Sequence, residues 1–596
     1  MSSKTIASLK LIVAGLMIIG IGSLSCPAYT SSASCETGDR EKVSGNSSRR
    51  GESFTIITRE EIKALGVHDI VELLEQFAGV KASEMSISLR GSSSKQVLVL
   101  LDGRPLNDPL TGSVNIGMIS VHNIEKIEIC KGSGSVVYGG DMIGGIIRIT
   151  TRKITKRPDG KMELSYGRFD TQKYDLNCSQ EIGSLGYSVA GSWNKTHGHR
   201  KNGDQDKKAG ALKLSYQLTE GSSLSCTANY SKKESRSPGR IDYPTPEAWS
   251  EKEDWGTTIG YKEKIWEINT YASGFDKRNE NPAISLDYTM SSHVLGGDIK
   301  TNIDIPYLGS FVLGTGGKRS KVDAAKVGKH AEDEIFLFGE KEVRFEKLPL
   351  SLGLGIRGRR HSEYDWALNP QVSLTYQLAK GDVKLSVNRA TTIPTFYERY
   401  CKSSFSEGNP DLSEEKAMNY NVGLGYKFNE FLELGLAFFF ADINDLITSV
   451  EGENRIWRYV NVESASRKGV ELEAKMSLFG HLTINGAYTY LVAKNDDTGK
   501  YIIYRPKHKV NIRLKYTLCD KLIFYLTDEY VSKRFADQEN TETLSEYNLL
   551  DFEINYLIGK ATLFGKIDNL LGEEYEVHKK YPQPKATYSV GLTYEF

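Results

Sequence analysis

The chain has 596 residues, of which 39% are hydrophobic, with 56 glycines and 32 tyrosines, and its 76 basic and 76 acidic residues cancel. That composition suits many strands joined by tight turns better than helical bundles, and zero net charge leaves no electrostatic footprint for nucleic acid. The length admits several ordinary domains or one very large β domain.

Lys4 and Lys10 precede or enter the apolar segment "LIVAGLMIIGIGSL", which runs into small residues and Cys26. A basic start, an apolar centre and a small-residue exit have the form of a secretory signal over residues 1–28; a membrane anchor is the alternative. A lipoprotein signal fits poorly, because the leucine of "SLSC" lies one position too close to Cys26. Residues 29–52 are rich in Ser, Gly and charge without a period, and read as a flexible arm. The seven cysteines are scattered with no C-x-x-C, so neither a zinc site nor a disulfide framework is expected. Beyond the leader no apolar run is long enough for a spanning helix. Transmembrane β-barrels escape that criterion, because their signal is alternation.

Residues 53–152 mix helix and strand, as a small α+β domain would. "TREE", Thr58 to Glu61, is a capping box, and Gly66 ends the short helix it starts. Ile70, Leu73, Leu74 and Phe77 share one face of a second helix, with Gly79 placed as its C-terminal cap. "QVLVLLDG" is a continuously apolar strand, hence covered on both faces, leading into an Asp102-Gly103 turn. The stretch "YGGDMIGGIIRITTR", Tyr138 to Arg152, raises two readings for its glycine pairs. A phosphate loop requires a helix after the glycines, but the β-branched run Ile146 to Thr151 follows. Gly139, Gly140, Gly144 and Gly145 are therefore expected to supply positive φ and close backbone approach.

From about Lys153 the pattern becomes strict alternation. In "NYNVGLGYK" one face carries Tyr420, Val422, Leu424 and Tyr426, and the other Asn421, Gly423, Gly425 and Lys427. Leu432 to Phe440, "KVNIRLKYT" and "LDFEINY" repeat it. Short connections ("FNE", "CDK", "IGK") alternate with long polar segments such as Lys195 to Lys208 and Ser231 to Asp254. Short turns at one end and long loops at the other match an outer-membrane barrel. Residues 153–596 supply about 22 antiparallel strands, a size whose lumen is plugged. "TYSVGLTYEF" closes the chain with Tyr588, Val590, Leu592, Tyr594 and Phe596 on one face. No H-E-x-x-H, G-x-S-x-G or G-K-[ST] motif is present, and "GLGIRG" (Gly353 to Gly358) reads as a barrel strand, so no enzyme is expected.

The order of parts resembles the TonB-dependent outer-membrane receptors across nearly the whole mature chain. The residues that carry it are "ISLRGSSSKQVLVLLDGRPLND" and "IEICKGSGSVVYGGDMIGGIIRITTR" in the plug. In the barrel they are "TTIPTFYERY", "GNPDLSEEKAMNYNVGLGYK", "RKGVELEAKM" and "DNLLGEEYEVH…YSVGLTYEF". Within the family, spacing and loop layout look most like cobalamin (corrinoid) transporters, with ferric-siderophore receptors as the alternative. Haem is a poorer fit, since Ile393 to Leu412 holds no His. A passive porin would lack the plug, and an adhesin would not need glycines and apolar strands buried in a lumen.

The resemblance implies active transport across the bacterial outer membrane, powered by TonB and its inner-membrane complex, by a monomer set in outer-membrane lipids. It places the TonB contact before the plug, at Glu41, Lys42, Val43, Ser44 and Gly45. It implies a plug–barrel charge cluster of Arg90 and Lys131 against Asn421 and Glu471, with Glu473 also facing inward. The family's plugs usually read Arg-Gly-Pro where this chain has Lys131-Gly132-Ser133. With Asn421 neutral, the cluster is expected to be one acid short. Substrate is expected on outward plug tips at Ser92, Ser93, Ser94, Arg104, Asn107 and Asp108. No cofactor is required, although Asp204, Asp206 and Asp242 supply the hard oxygen ligands that Ca²⁺ takes.

Overall fold

The computed structural model describes residues 54–132, 136–139, 142–305, 309–345, 347–452 and 456–596. The expected leader, the arm and Glu41 to Gly45 lie outside these residues, as do Ser133 and Gly140.

The N-terminal domain is built on a five-stranded sheet. Its strands lie in the order Phe54–Thr58, Ile124–Lys131, Gly145–Thr151, Val97–Leu101, Arg104–Pro105. Val97–Leu101 pairs in parallel with Gly145–Thr151. Its residues Val97, Val99 and Leu101 join a core with Ile127, Ile129, Ile147 and the helix residues Ile62, Leu65, Leu73 and Leu74. On the opposite face Leu98 and Leu100 pack with Cys130 and Ile146. The continuous apolarity of this strand thus has its physical cause in two covered faces.

The first helix, Arg59–Leu65, begins on the expected box: Thr58 Oγ1 accepts the Glu61 amide at 3.4 Å, and the Glu61 carboxylate accepts the Thr58 amide at 3.3 Å. Gly66 caps its end at φ 66°. The second helix, Ile70–Glu75, stops earlier than expected, at Gln76 in helical backbone. Gly79 instead turns the chain at φ 72° into the hairpin Val80–Ser83/Ser86–Leu89. A Cβ on Gly79 would lie 1.8 Å from Glu471 Oε1, so glycine is what admits a barrel carboxylate to this turn. Gly145 plays the expected part within the sheet: at φ 122° a Cβ there would sit 2.0 Å from the Cys130 carbonyl oxygen.

The remainder is a closed barrel of 22 long antiparallel strands from Asp159–Gly167 to Thr587–Glu595, which pair with each other to shut the ring. Alternation sets the two faces as expected. Tyr420, Val422, Phe438, Phe440, Tyr588 and Val590 are exposed on the outside, while Asn421, Glu471, Arg513 and Glu553 are buried inside. An apolar exterior suits lipid, and a polar lumen suits a wet or plugged interior. Turns at one end are short, as at 519–521 and 559–560; the other end carries long connections, including 393–414, 532–546 and 569–586.

The boundaries of the early loops differ from expectation. Strands run from Leu185 to Thr196 and from Gln205 onward, and Ser222–Arg236 pairs with Trp249–Lys262. The loops proper are 197–204 and 237–248. A bilayer needs only about 9–11 residues per strand, so these ladders continue past the lipid. There polar cross-strand pairs support them: Lys232 lies 2.7 Å from Glu251 and 3.1 Å from Glu253. Polarity alone therefore misplaced the loop edges.

Candidate functional site: the plug, its latches and the mouth

The N-terminal domain fills the lumen, and its contacts with the wall define the site. Arg90 adopts φ 50°, a costly backbone for a non-glycine residue, and its side chain enters a dense set of partners. Its Nε and Nη2 donate to the two Glu471 oxygens at 3.0 and 2.8 Å, and Nη1 donates to Asn421 Oδ1 at 2.6 Å. The guanidinium also lies 4.4 Å from the Phe439 ring centre. Lys131 Nζ is 3.4 Å from Glu471 and 3.6 Å from Glu473. Glu473 further accepts the Ala78 amide at 3.1 Å. The structure thus brings together all five residues expected in the cluster. It corrects their balance: Glu473 supplies the second acid, so two buried cations meet two buried carboxylates, and neutral Asn421 acts as acceptor.

A second latch, at the short-turn end, was not expected. His68 lies just before the second helix. Its Nδ1 is 3.0 Å from Glu163 and its Nε2 3.2 Å from Glu553. His122 Nε2 reaches the same Glu163 at 2.7 Å, as does Lys173 at 3.0 Å. Phe564 stacks on the His68 ring at 4.3 Å. Burial opposes a charge on His68, but the Glu163 and Glu553 carboxylates outweigh it and raise the imidazole to about 9. Nearby, Glu72 accepts from Arg513 at 3.1 Å and Lys566 at 3.0 Å. Alternation shows Arg513 as lumen-facing. Nothing local in the sequence pairs it with a helix more than 400 residues earlier.

At the long-loop end the expected plug tips are mostly covered. Ser92 is buried, and Arg505 donates to the Gly91 and Ser92 carbonyls at 2.7 and 3.1 Å. Ser93 and Ser94 begin a short turn that ends on Gln96. Asn107 bridges Val97 O and Val99 N at 2.9 and 3.0 Å, a structural role. Asp108 accepts from the Leu110 amide and from Ser292. The short helix Phe396–Tyr400 sits over this turn, its Tyr397 amide donating to Leu110 O at 2.9 Å. Arg104 is 3% exposed and reaches the wall rather than the mouth, donating to Ser273 at 2.9 Å and Asn229 at 2.8 Å. In this structure Arg104, Ser92 and Asp108 are therefore not open to the outside.

What remains open at the mouth is the hairpin containing Lys81 and Glu84. Facing it, Lys207, Lys233, Lys252 and Lys277 stand in register across four neighbouring strands. Like charges directly opposite one another destabilise a sheet. Glu84 accepts from Lys207 and from Lys233, and Asp254 lies 3.6 Å from Lys252; Lys277 has no ion-pair partner among the described residues. Burial, then Arg505 and the nearby Arg534 and Lys509 against Glu75, push Lys81 down to about 8.

The three aspartates considered for calcium do not converge. Asp204 accepts from or pairs with His197 at 2.7 Å, Asp206 accepts the Trp193 indole N–H at 3.1 Å, and Asp242 is held by both arms of the Arg240 guanidinium.

A family model described as "TonB dependent receptor-like, beta-barrel" matches residues 156–570, and one described as "TonB-dependent Receptor Plug Domain" matches residues 48–146. The chain belongs to the TonB-dependent receptor family. The receptor is 25% identical over 583 residues to a vitamin B12 transporter of Photobacterium profundum, covering 91% of this chain and 92% of that protein. It is 26% identical over 588 residues to one of Vibrio cholerae, covering 91% and 92%. Among solved structures, a ferric enterobactin receptor variant from Pseudomonas aeruginosa bound to enterobactin superposes with a TM-score of 0.78 at 18% identity, covering 92% of this chain and all of that one. The siderophore receptor PirA of Acinetobacter baumannii gives 0.77 at 17%, covering 92% and 98%. These structural likenesses establish the fold: a closed 22-strand barrel with an N-terminal plug.

Proposed function

We propose that this receptor imports a corrinoid across the bacterial outer membrane, driven by TonB. The observation that carries the cargo is the set of vitamin B12 transporters that align over nine-tenths or more of both chains. The plug supports the energised mechanism. A plug that fills the lumen and is tied to the wall by ionic latches needs work to move it, which TonB would supply. The second reading is an anionic ferric siderophore, which Lys277, the member of the lysine row without an ion-pair partner among the described residues, would suit by opposite charge.

Equilibrium binding to the purified receptor separates the two. Cyanocobalamin and a panel of ferric siderophores are titrated with and without Ca²⁺. The proposal expects saturable corrinoid binding. Siderophore binding without corrinoid binding would reject it, and that binding should then weaken in Lys277→Gln.

A further inference from the structure

Arg467 is a buried cation without a partner. It is 4% exposed, its Nε is enclosed, and it makes no hydrogen bond or ion pair among the described residues. It lies on the strand Trp457–Leu478, on the lumen face that also carries Glu471 and nearer the long-loop end. Ala441 and Ala493 stand beside it in register on the two neighbouring strands, and neither side chain offers an acceptor. Glu415 is the acid that acts on it, but that carboxylate is committed elsewhere. It accepts from Gln96 at 2.9 Å and from the Ile447 amide at 2.8 Å, and it lies 3.2 Å from Lys95. The other charges that act on Arg467 are cations, Arg505 and Arg90, and Arg90 is already paired with Glu471.

Arg505 is the second member. It lies in the connection between the strands Leu482–Asn495 and His508–Leu518. Its Nε and Nη2 donate to the Gly91 and Ser92 carbonyls, which fix the guanidinium over the plug turn. Nη1 has no acceptor, and no carboxylate lies within ion-pair distance of the group, among the described residues. On the same plug turn Ser94 holds a buried hydroxyl with no partner. The positive field continues outward, because Lys81, Arg534 and Arg505 all act on the imidazole of His578, which is exposed. Arg534 is held by the carbonyls of Ser545 and Glu576 rather than by an acid. Of the acids that act on Lys81 and Arg534, Glu75 and Glu529 both engage Lys509.

We propose that Arg467 and Arg505 form an oxyanion site that takes the anionic group of the cargo where the plug meets the wall. Buried charges are ordinarily paired, and two that repel each other without a counter-charge are costly in the empty receptor. An incoming oxyanion supplies the acceptors that the fold withholds. Guanidinium forks suit such a group, since they bond two of its oxygens at once. The inference rests on the transport reading and deepens it. For a corrinoid the group is the phosphodiester of the nucleotide loop; for a siderophore it is a catecholate or carboxylate oxygen.

The test titrates two corrinoids that differ in that group: cyanocobalamin, and dicyanocobinamide, which lacks the phosphodiester. Wild-type receptor is compared with Arg467→Gln and Arg505→Gln. Each substitution is expected to weaken cyanocobalamin about tenfold or more, as loss of a charged hydrogen bond does, and to leave dicyanocobinamide unchanged. Inorganic phosphate is expected to compete with cyanocobalamin and not with dicyanocobinamide. Thermal unfolding without ligand is read in parallel, and Arg467→Gln is expected to melt no lower than wild type, because it removes an unpaired buried charge. Equal loss for both corrinoids, loss for neither, or a lower melting point in Arg467→Gln would overturn the site. Phosphate that binds through Arg467 while cyanocobalamin ignores both substitutions would make this the seat of a free anion, against the proposal. If wild type binds neither corrinoid, the cargo reading falls and the site is judged on siderophores. An anionic ferric tris-catecholate must then weaken in both variants while a neutral ferric trihydroxamate does not.

Discussion

Glu471→Ala should loosen the plug and open a leak in the barrel. Glu471 is 2% exposed and partners both Arg90 and Lys131, which are themselves 5% and 1% exposed. Removing the shared carboxylate leaves two buried cations with only Glu473 and Asn421. Breaking a buried pair by deleting one partner costs about 3–5 kcal/mol. Arg90 also holds a left-handed backbone, so the turn at Arg90-Gly91 loses its anchor as well. The expected result is ion conductance well above wild type in planar bilayers and an earlier plug transition in denaturant, with the barrel transition unchanged. Glu471→Gln, which retains acceptor oxygen for one donor, should fall between. Wild-type leakage in Glu471→Ala would contradict the latch.

The second large effect is set by pH. His68 bonds Glu163 and Glu553 through its two ring nitrogens, which requires both to carry protons. Its folded value is about 9 against an ordinary 6.5. A group raised on folding stabilises fully below its unfolded value and loses that contribution as pH rises through the folded one. The difference corresponds to about 3 kcal/mol of plug docking. His68→Gln is therefore expected to destabilise the plug by that order at pH 6. The gap from wild type should shrink between pH 6.5 and 9 and largely vanish above pH 10. A gap constant with pH would show that His68 acts by packing against Phe564 rather than by charge.

The barrel was legible because alternation is a property of single strands. "NYNVGLGYK" assigns Tyr420 to lipid and Asn421 to the lumen without knowledge of any neighbour, and the structure agrees. The first latch was legible through the resemblance, which placed Arg90 and Lys131 against Glu471, with Glu473 turned inward beside it; the structure adds that Glu473 pairs with Lys131. Three things were not legible. The His68 latch joins residues about 95 and 485 positions apart, and no local pattern encodes such a pairing. The lysine row depends on register: Lys207, Lys233, Lys252 and Lys277 are ordinary alternating lysines until turn lengths bring them side by side. Arg104 and Asp108 looked like loop-tip residues because their neighbours are turn formers. Burial came from the opposing wall and from the helix Phe396–Tyr400, neither of which is near in sequence.

Ion pairs tie the plug to the wall on several sides, at Glu471, at Glu163 and Glu553, and through Glu84 at Lys207 and Lys233. A puller on the N-terminal arm would act on a domain whose first strand, Phe54–Thr58, lies at the edge of its sheet and pairs only with Ile124–Lys131. Only that one ladder must break for this strand to separate from the sheet.

The measurement that bears most directly on the account is uptake by whole cells that carry this receptor as their sole outer-membrane route for the ligand. Labelled cyanocobalamin, or the ferric siderophore that the titrations select, is followed with TonB present and deleted. Surface binding is expected in both strains and accumulation only with TonB, abolished by collapse of the proton gradient. Accumulation that persists without TonB would contradict a plug opened by force and would make the protein a passive channel.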